Sequence, residues 1–445
     1  MSRGASLVLA AFLALLGPRM GLAEEPAQPA PPPPAPKVTI TPYGFILVQS
    51  WWNDGPFAAR DQPFQVLQNH DGGSYLISAR GSRFGFKIGL PDDPFTGAHL
   101  SGLVEADFKG GNIPSAVTST CTLSGTAPNQ KVTCSNTVNA SGTAWYNSIL
   151  RLRLAYLTAT WGDDTTRFSI VAGQDWRIVA PLAPTSIAFG YDQIFTQAGN
   201  LNVRDPQLKA ILDAAPGNLG VNVSAAMLSP QDTATLFSTG PAVDYDAGNR
   251  SRMPNFEARL AGYLLDGNKK VAEVGLAGGI GWRRYDNSAT PNATVDTTTK
   301  IGAVDAVFNL PYITVQGEGY LSDGMEDSYA GFLSSAVVLN SNAAGTQLVS
   351  VTNLESQGYW AQAVLKPIPV VWIPVGYGME QVRYHGIAAS ALPRIRNSEF
   401  HTGILLNMVN PWKFGFEFTH TVSGYPNNLG PATAEQFVLA SRLDF

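Results

Sequence analysis

The sequence predicts an all-β fold: a transmembrane antiparallel β-barrel of about sixteen strands. Three observations carry that prediction. Apolar and polar residues alternate with a period of two along most of the chain. Charged residues fall opposite the leucines and aromatics, in segments long enough for the ~9–11 residues a membrane-crossing strand requires. The connections between segments are alternately short and long, which a barrel with periplasmic turns and extracellular loops demands and a soluble sandwich does not.

The clearest segment is Leu150–Trp161, LRLRLAYLTATW. Leu150, Leu152, Leu154, Tyr156 and Thr158 share one face, and Arg151 and Arg153 take the other. A soluble strand would turn the leucines inward. A barrel strand turns them to lipid and the arginines to a wet lumen. Composition agrees with the second arrangement. Of 445 residues, 14% are charged, against roughly 25% in a typical soluble domain.

Taken in order, the chain opens with Arg3, the apolar run Leu7–Leu16 and the small-residue site Gly21-Leu22-Ala23. This reads as a signal peptide over residues 1–23, cleaved after Ala23. Residues 24–37 follow as a Pro-rich leader, EEPAQPAPPPPAP and Lys37, which favours an extended spacer in the periplasm. The barrel is expected over residues 38–445. Its strands are read as Val38–Trp52, Tyr75–Leu90, Leu100–Lys109, Leu150–Trp161, Arg167–Asp175, Val203–Asp213, Leu219–Leu228 and Phe256–Leu265. Lys270–Tyr285, Lys300–Leu310, Tyr312–Leu321, Gly358–Lys366, Val370–Tyr384, Arg394–Met408, Trp412–Thr421 and Glu435–Phe445 complete the set. Trp51, Trp52, Tyr156, Trp161, Trp282, Tyr377, Tyr384 and Trp412 fall near strand ends, as interfacial girdles require. The last strand ends on Phe445, which is similar to the assembly signal that outer-membrane barrels present to their insertion machinery. Both termini then lie on the periplasmic side of a Gram-negative outer membrane, with lipid and lipopolysaccharide as surroundings.

A barrel of this size encloses water, because only about eight strands can be filled by side chains. Its inward residues are therefore the candidate site. Arg83, Lys87, Arg151, Arg153, Arg259 and Arg283 form a basic wall, extended at strand ends by Arg177, Arg204, Arg394 and Arg396. Glu105, Asp107, Glu257, Glu318, Glu380 and Glu417 are the opposing acids. Opposed charges across a narrow lumen orient solutes, and guanidinium grips carboxylates through paired donors. This points to passage of small anionic solutes; the alternative is that the charges merely pair within the wall. The loop Trp176–Asn202 contains the mostly apolar run IVAPLAPTSIAFGYDQIF, with Asp192 as its one charge. Such a loop is expected to fold into the lumen as a constriction, or else to pack at a subunit interface.

Other chemistry finds little support. Formal charge is −5 and becomes more negative when Arg3 and Arg19 are removed, which argues against nucleic acid. The five histidines lack zinc-ligand spacing, and no cofactor motif is present. Cys121 and Cys134 sit in a polar segment of an exported chain, so a disulfide between them is expected. An alternative reading is a barrel hydrolase of protease or phospholipase type with a loop-borne active site. It would rest on His70-Asp71, which has no companion constellation.

Four motifs carry a family resemblance: Ala79–Phe86 (ARGSRFGF), Glu105–Phe108 (EADF), Leu150–Tyr156 (LRLRLAY) and Gly173–Trp176 (GQDW). Together they resemble the DcaP-type trimeric porins, most clearly over Tyr43–Trp176 and more weakly to Phe445. The resemblance implies sixteen strands, a homotrimer and passage of small anionic compounds, including carboxylates. It also implies that Arg83, Arg151 and Arg153 line the pore. The chain departs from the family in its leader, where prolines replace a helical coiled coil, and in Asp175, which adds a negative charge near the expected constriction.

Overall fold

The computed structural model describes residues 38–445, apart from 60, 69–71, 111–115, 125–130, 140–147, 189–193, 231–245, 287–293, 330, 332–335, 342–347, 384–393 and 427–429. For 116–124 and 131–139 it describes the backbone alone. The expected signal peptide and leader, His70-Asp71, Asp192, Tyr384 and the cysteine side chains therefore lie outside what it describes.

Seventeen strands join in one sheet that closes on itself. They are β1 (Thr39–Asn53), β2 (Ser74–Ser78), β3 (Arg83–Gly89), β4 (His99–Asp107), β5 (Arg151–Gly162), β6 (Thr166–Trp176), β7 (Arg204–Ala214), β8 (Leu219–Leu228) and β9 (Asn255–Asp266). The wall continues through β10 (Lys269–Asp286), β11 (Thr294–Asn309), β12 (Ile313–Asp323), β13 (Glu355–Ile368), β14 (Val371–Arg383), β15 (Arg396–Leu406), β16 (Trp412–Gly424) and β17 (Ala432–Asp444). β2 and β3 are two halves of one wall position, because both pair with β1, from Gln49–Asn53 and Thr39–Phe45 respectively. The barrel is thus sixteen-stranded and antiparallel throughout.

Closure runs through β1 and β17, from Phe45 opposite Asp444 to Asn53 opposite Gln436. Gly44 and Phe445 exchange both backbone hydrogen bonds at 3.0 Å. The terminal residue therefore fastens the seam, while its ring faces outward. Closure leaves no strand edge unpaired, which a bilayer interior requires.

The outer surface is the apolar face read from the sequence. Leu276 and Leu439 are 61% and 64% exposed. Trp52, Tyr377 and Trp412 are also exposed on it. Short turns close one end; in the β5–β6 turn the Asp163 carboxylate accepts from Thr165 N and Thr166 N at 2.8 and 2.9 Å. Long loops occupy the other end and carry small hairpins of their own. In one, Ala116–Ser124 pairs with Lys131–Asn139 and sets Cys121 opposite Cys134. In another, Phe57–Ala59 pairs with Gln62–Val66. Asp61 at its tip bonds Arg80 at 2.5 Å and Lys109 at 3.1 Å. Burial alone would raise the Asp61 carboxyl, but the two cations more than offset it and hold the group below the usual carboxylate range.

Three expectations are corrected by the structure. The segment Tyr75–Leu90 is interrupted: Ser82 N donates to Ala79 O at 2.9 Å in a turn, and Ser82 Oγ accepts from Leu47 N in place of a strand partner. Leu154, Tyr156 and Thr158 do not share the lipid face with Leu152. Glu105 pairs with Leu154 and Ala106 with Leu152, so Arg153 is an extra residue in β5. Such a bulge inverts the alternation beyond it: Leu154 is 7% exposed and Leu157 is 63% exposed. Trp51 belongs to no girdle. It is buried inside with Leu47 and Ile187, because the adjacent Trp52 takes the outer face.

Leu439→Arg should weaken refolding into lipid vesicles by about 2–4 kcal/mol, the scale for a cation in the lipid-facing band. Asn222→Arg on the luminal face should change it by less than ~1 kcal/mol. Urea titration in vesicles distinguishes the two faces, and equal costs would contradict this polarity.

Candidate permeation site

The constriction belongs to the segment between β6 and β7, and the described residues of that segment, 177–188 and 194–203, lie inside the barrel. It holds that position because inward wall side chains satisfy its backbone. Glu257 accepts from Ile178 N at 3.1 Å, and Glu318 from Leu182 N at 2.7 Å. Gln362 accepts from Thr185 N at 2.7 Å and donates to Thr185 O at 3.0 Å. Glu417 takes Ile187 N at 3.3 Å, Glu399 takes Phe195 N at 3.1 Å, and Glu380 takes Gly199 N at 3.4 Å. Asn397 donates to Gln197 O at 2.8 Å.

Apolar packing fixes the same segment. Ile194, Phe195 and Ala198 pack with Trp360, and the Phe195 and Trp360 rings stack with centroids 5.9 Å apart. Val179, Ala180 and Leu201 pack on Ile301, Ala303, Tyr320 and Tyr329. The wall opposite Phe195 carries Gly376 and Gly378. A Cβ on Gly378 would lie 2.2 Å from Ala198 O and 2.9 Å from the Phe195 ring, so only glycine admits the loop there. The loop backbone is itself bent for this fit, with Phe195 and Gln197 both at φ 65°.

The opposite wall carries the charge ladder. Arg151 makes a two-pronged pair with Asp107 at 3.0 and 2.7 Å. Arg153 bridges Glu105 and Asp107, both at 2.8 Å. Arg83 is 3.5 Å from Glu105, which also accepts from Tyr43 Oη at 3.1 Å. Lys87 lies over the Tyr43 ring at 5.2 Å. Arg204 and Arg153 both lie over the Trp176 ring, at 4.9 and 5.9 Å. The guanidiniums of Arg83, Arg151 and Arg153 therefore share the carboxylates of Glu105 and Asp107 on this side, and Arg204 lies beside them on Trp176. The bulge that adds Arg153 places it fully inside the ladder, with Arg151 left half-buried at the front.

Between loop and ladder a cavity of about 460 Å³ remains. Arg83, Lys209, Asp175, Asn222 and Arg259 line it on the wall, and Ile178, Pro181 and Ala183 line it on the loop. Asp175 is paired with Lys209 at 2.5 Å. Its charge is thereby offset, and Lys209 is a luminal cation that the sequence reading missed. Its alternation with Leu208 and Ala210 in β7 was the available signal. Arg259 is held by Asp305 at 2.5 Å and Glu273 at 2.7 Å.

Several predicted residues are luminal in direction but covered. Glu257, Glu318, Glu380 and Glu417 are buried under the constriction, because the segment whose amides they accept lies over them. Arg177 is buried between Asp205 and Glu257 and beneath the Tyr329 ring at 4.2 Å. Arg283 is buried against Asp327, at 2.5 Å, in a 3-10 turn over Glu326–Tyr329. Arg394 is half-buried at the long-loop end. Arg396 does not face the lumen; it is exposed on the outer face and donates to Tyr377 Oη at 3.3 Å.

No family model and no curated protein matches the chain. Solved structures do. The crystal structure of the outer membrane channel DcaP of Acinetobacter baumannii is similar with a TM-score of 0.65 and 16% identity, over 92% of this chain and 97% of that one. OmpF of Salmonella typhi, in complex with daunomycin, gives 0.51 and 13% over 91% and 97%. A loop-deleted OmpT, an outer membrane protein of Vibrio cholerae, gives 0.50 and 11% over 92% and 99%. The fold is that of an outer-membrane porin barrel. Within that class the architecture is DcaP-like, as the sequence motifs implied.

Glu318→Ala strips the acceptor from Leu182 N and from the Trp360 indole, which donates at 2.9 Å. An unsatisfied buried donor costs about 1–3 kcal/mol. The constriction should loosen, and single-channel recordings should show higher mean conductance and greater open-channel noise. Gly378→Val should produce the same change by steric displacement. Currents indistinguishable from the parent in both variants would mean that other contacts suffice to hold the segment.

Proposed function

We propose that the chain is an outer-membrane porin, a water-filled channel for passive diffusion of small hydrophilic anions, carboxylates among them. The observation that carries the reading is the excess of guanidinium over carboxylate beside the constriction, where Arg83, Arg151, Arg153 and Arg204 face Glu105 and Asp107. Across the lumen the balance differs. Arg177 meets two acids, and Arg259 with Lys270 meets two. A solute in the narrow zone therefore moves through a lateral field with its positive side on the ladder, and water-excluded walls strengthen that field. The acids also keep the arginines extended and fixed, so an anion meets a preformed site.

The rest of the reading follows from export. Signal peptide 1–23 is removed, residues 24–37 remain as a leader, and residues 38–445 insert with both termini in the periplasm. The functional unit is a homotrimer, in keeping with the family the motifs resemble. Cys121 and Cys134, opposite one another in their hairpin, form a disulfide in that oxidising compartment.

Planar-bilayer recording tests the reading. In asymmetric potassium chloride the reversal potential should have the sign of anion preference, and dicarboxylates should reduce chloride current more than neutral sugars do. Cation preference, or no current, would refute it. Arg151→Ala combined with Arg153→Ala leaves two guanidiniums against two carboxylates, so the anion-to-cation permeability ratio should fall toward one. An unchanged ratio would remove this pair from selectivity.

A further inference from the structure

A second loop also enters the lumen. The connection between β12 and β13 turns inward at Glu326–Tyr329, a 3-10 turn whose four residues are all buried. Its exit from the wall is fixed. Gly324, at φ 71°, donates its N–H to Leu354 O at 2.9 Å, and Met325 N donates to Ser322 Oγ at 3.1 Å. Asp327 receives both prongs of the Arg283 guanidinium, at 2.5 and 3.0 Å, and accepts from Ala336 N at 2.8 Å. These bonds anchor the turn to β10.

Tyr329 reaches from that turn to the start of the constriction. Its hydroxyl donates to Glu257 Oε1 at 2.6 Å. The other oxygen of Glu257 accepts from Ile178 N at 3.1 Å, so one carboxylate of β9 joins two loops. The Tyr329 ring centre lies 4.2 Å from the Arg177 guanidinium carbon, and Met325 and Tyr329 pack with Val179, Ala180 and Leu201. The wall leaves room for this contact: a Cβ on Gly279 would lie 3.3 Å from Tyr329 Oη. Residues 177–180 are thus fastened partly to the barrel and partly to another loop.

A buried carboxylate needs donors on both oxygens, and a buried guanidinium gains from an aromatic face. Glu257 and Arg177 have these together only while both loops are in place. We propose that the β12–β13 loop is a second constricting element of the channel, and that Tyr329 is the positioning residue through which it holds the first. Lumen width is then set jointly by the two loops. A disturbance at the long-loop end, where the second loop pairs Val337–Ser341 with Leu348–Asn353, reaches the constriction through Tyr329. The proposal rests on the channel reading above but not on its ion preference.

Single-channel recording tests the link. Tyr329→Phe keeps the ring and removes the hydroxyl. Levels of higher conductance should be visited about tenfold or more often in this variant, the scale of one hydrogen bond to a charged group. Asp327→Asn keeps the shape of the turn and removes the charge that anchors it. It should reach the same levels, although its own bonds are to Arg283 and Ala336. Neutral polyethylene glycols just too large for the parent should enter both variants. Glu257→Ala should also raise conductance, and adding Tyr329→Phe to it should change little, because the hydroxyl acts through that carboxylate. Parent-like currents in Tyr329→Phe or in Asp327→Asn would overturn the proposal, as would additive effects of Tyr329→Phe and Glu257→Ala. A parent chain that passes no current would instead overturn the channel reading.

Discussion

A polypeptide segment that crosses the inside of a channel must find partners for backbone N–H groups that no strand pairs. Here the wall provides them as side chains. Glu257, Glu318, Gln362, Glu417, Glu399 and Glu380 project inward from six different strands and receive successive amides of residues 178–199. The width of the lumen depends on these bonds. They set where the segment lies, and so how much of the lumen stays open beside the charge ladder. Removing either partner of such a bond leaves a buried group unsatisfied.

The same carboxylates explain an asymmetry of the interior. Acids on the side of β9 and β12–β16 are consumed in holding the segment and are covered by it. Acids on β4 are consumed in holding arginines extended. Beside the constriction the guanidiniums of Arg83, Arg151, Arg153 and Arg204 outnumber the carboxylates of Glu105 and Asp107, although the whole chain carries a formal charge of −5. Net charge therefore says little about the channel, whose polarity is set by which charges the protein has already used.

Packing makes the arrangement specific. The constriction builds a small hydrophobic interior with the wall, at Phe195 with Trp360 and at Val179, Ala180 and Leu201 with Tyr320 and Tyr329. Glycines at 376, 378 and 415 open the space; a Cβ at Gly415 would lie 2.8 Å from Ile187 Cβ. In β14 the inward glycines alternate with Val375, Tyr377 and Met379, so the notch is written in the sequence as VGYGM. Alternation alone marks a strand here, and only the packed segment shows what the glycines make room for.

The barrel, its strand count and its rhythm of loops were legible in the chain, which left residues 176–202 either inside the lumen or at a subunit interface. These follow from local patterns: a period of two places a side chain on lipid or water, and closure needs every edge paired. Alternation also turned Arg83, Arg151, Arg153, Glu105 and Asp107 to the lumen, and left open whether the acids oppose the arginines across it or pair with them in the wall. Which charges remain available depends on contacts made in three dimensions. The bulge at Arg153 inverted the far half of β5 at a cost of one residue in register, which alternation counting across Leu150–Trp161 cannot detect. Glu318 and Lys209 look equally luminal by parity, yet one is sealed under the loop and the other lines the cavity. That outcome depends on contacts between residues far apart in the chain, Leu182 with Glu318 and Asp175 with Lys209, and distance in sequence carries no record of them.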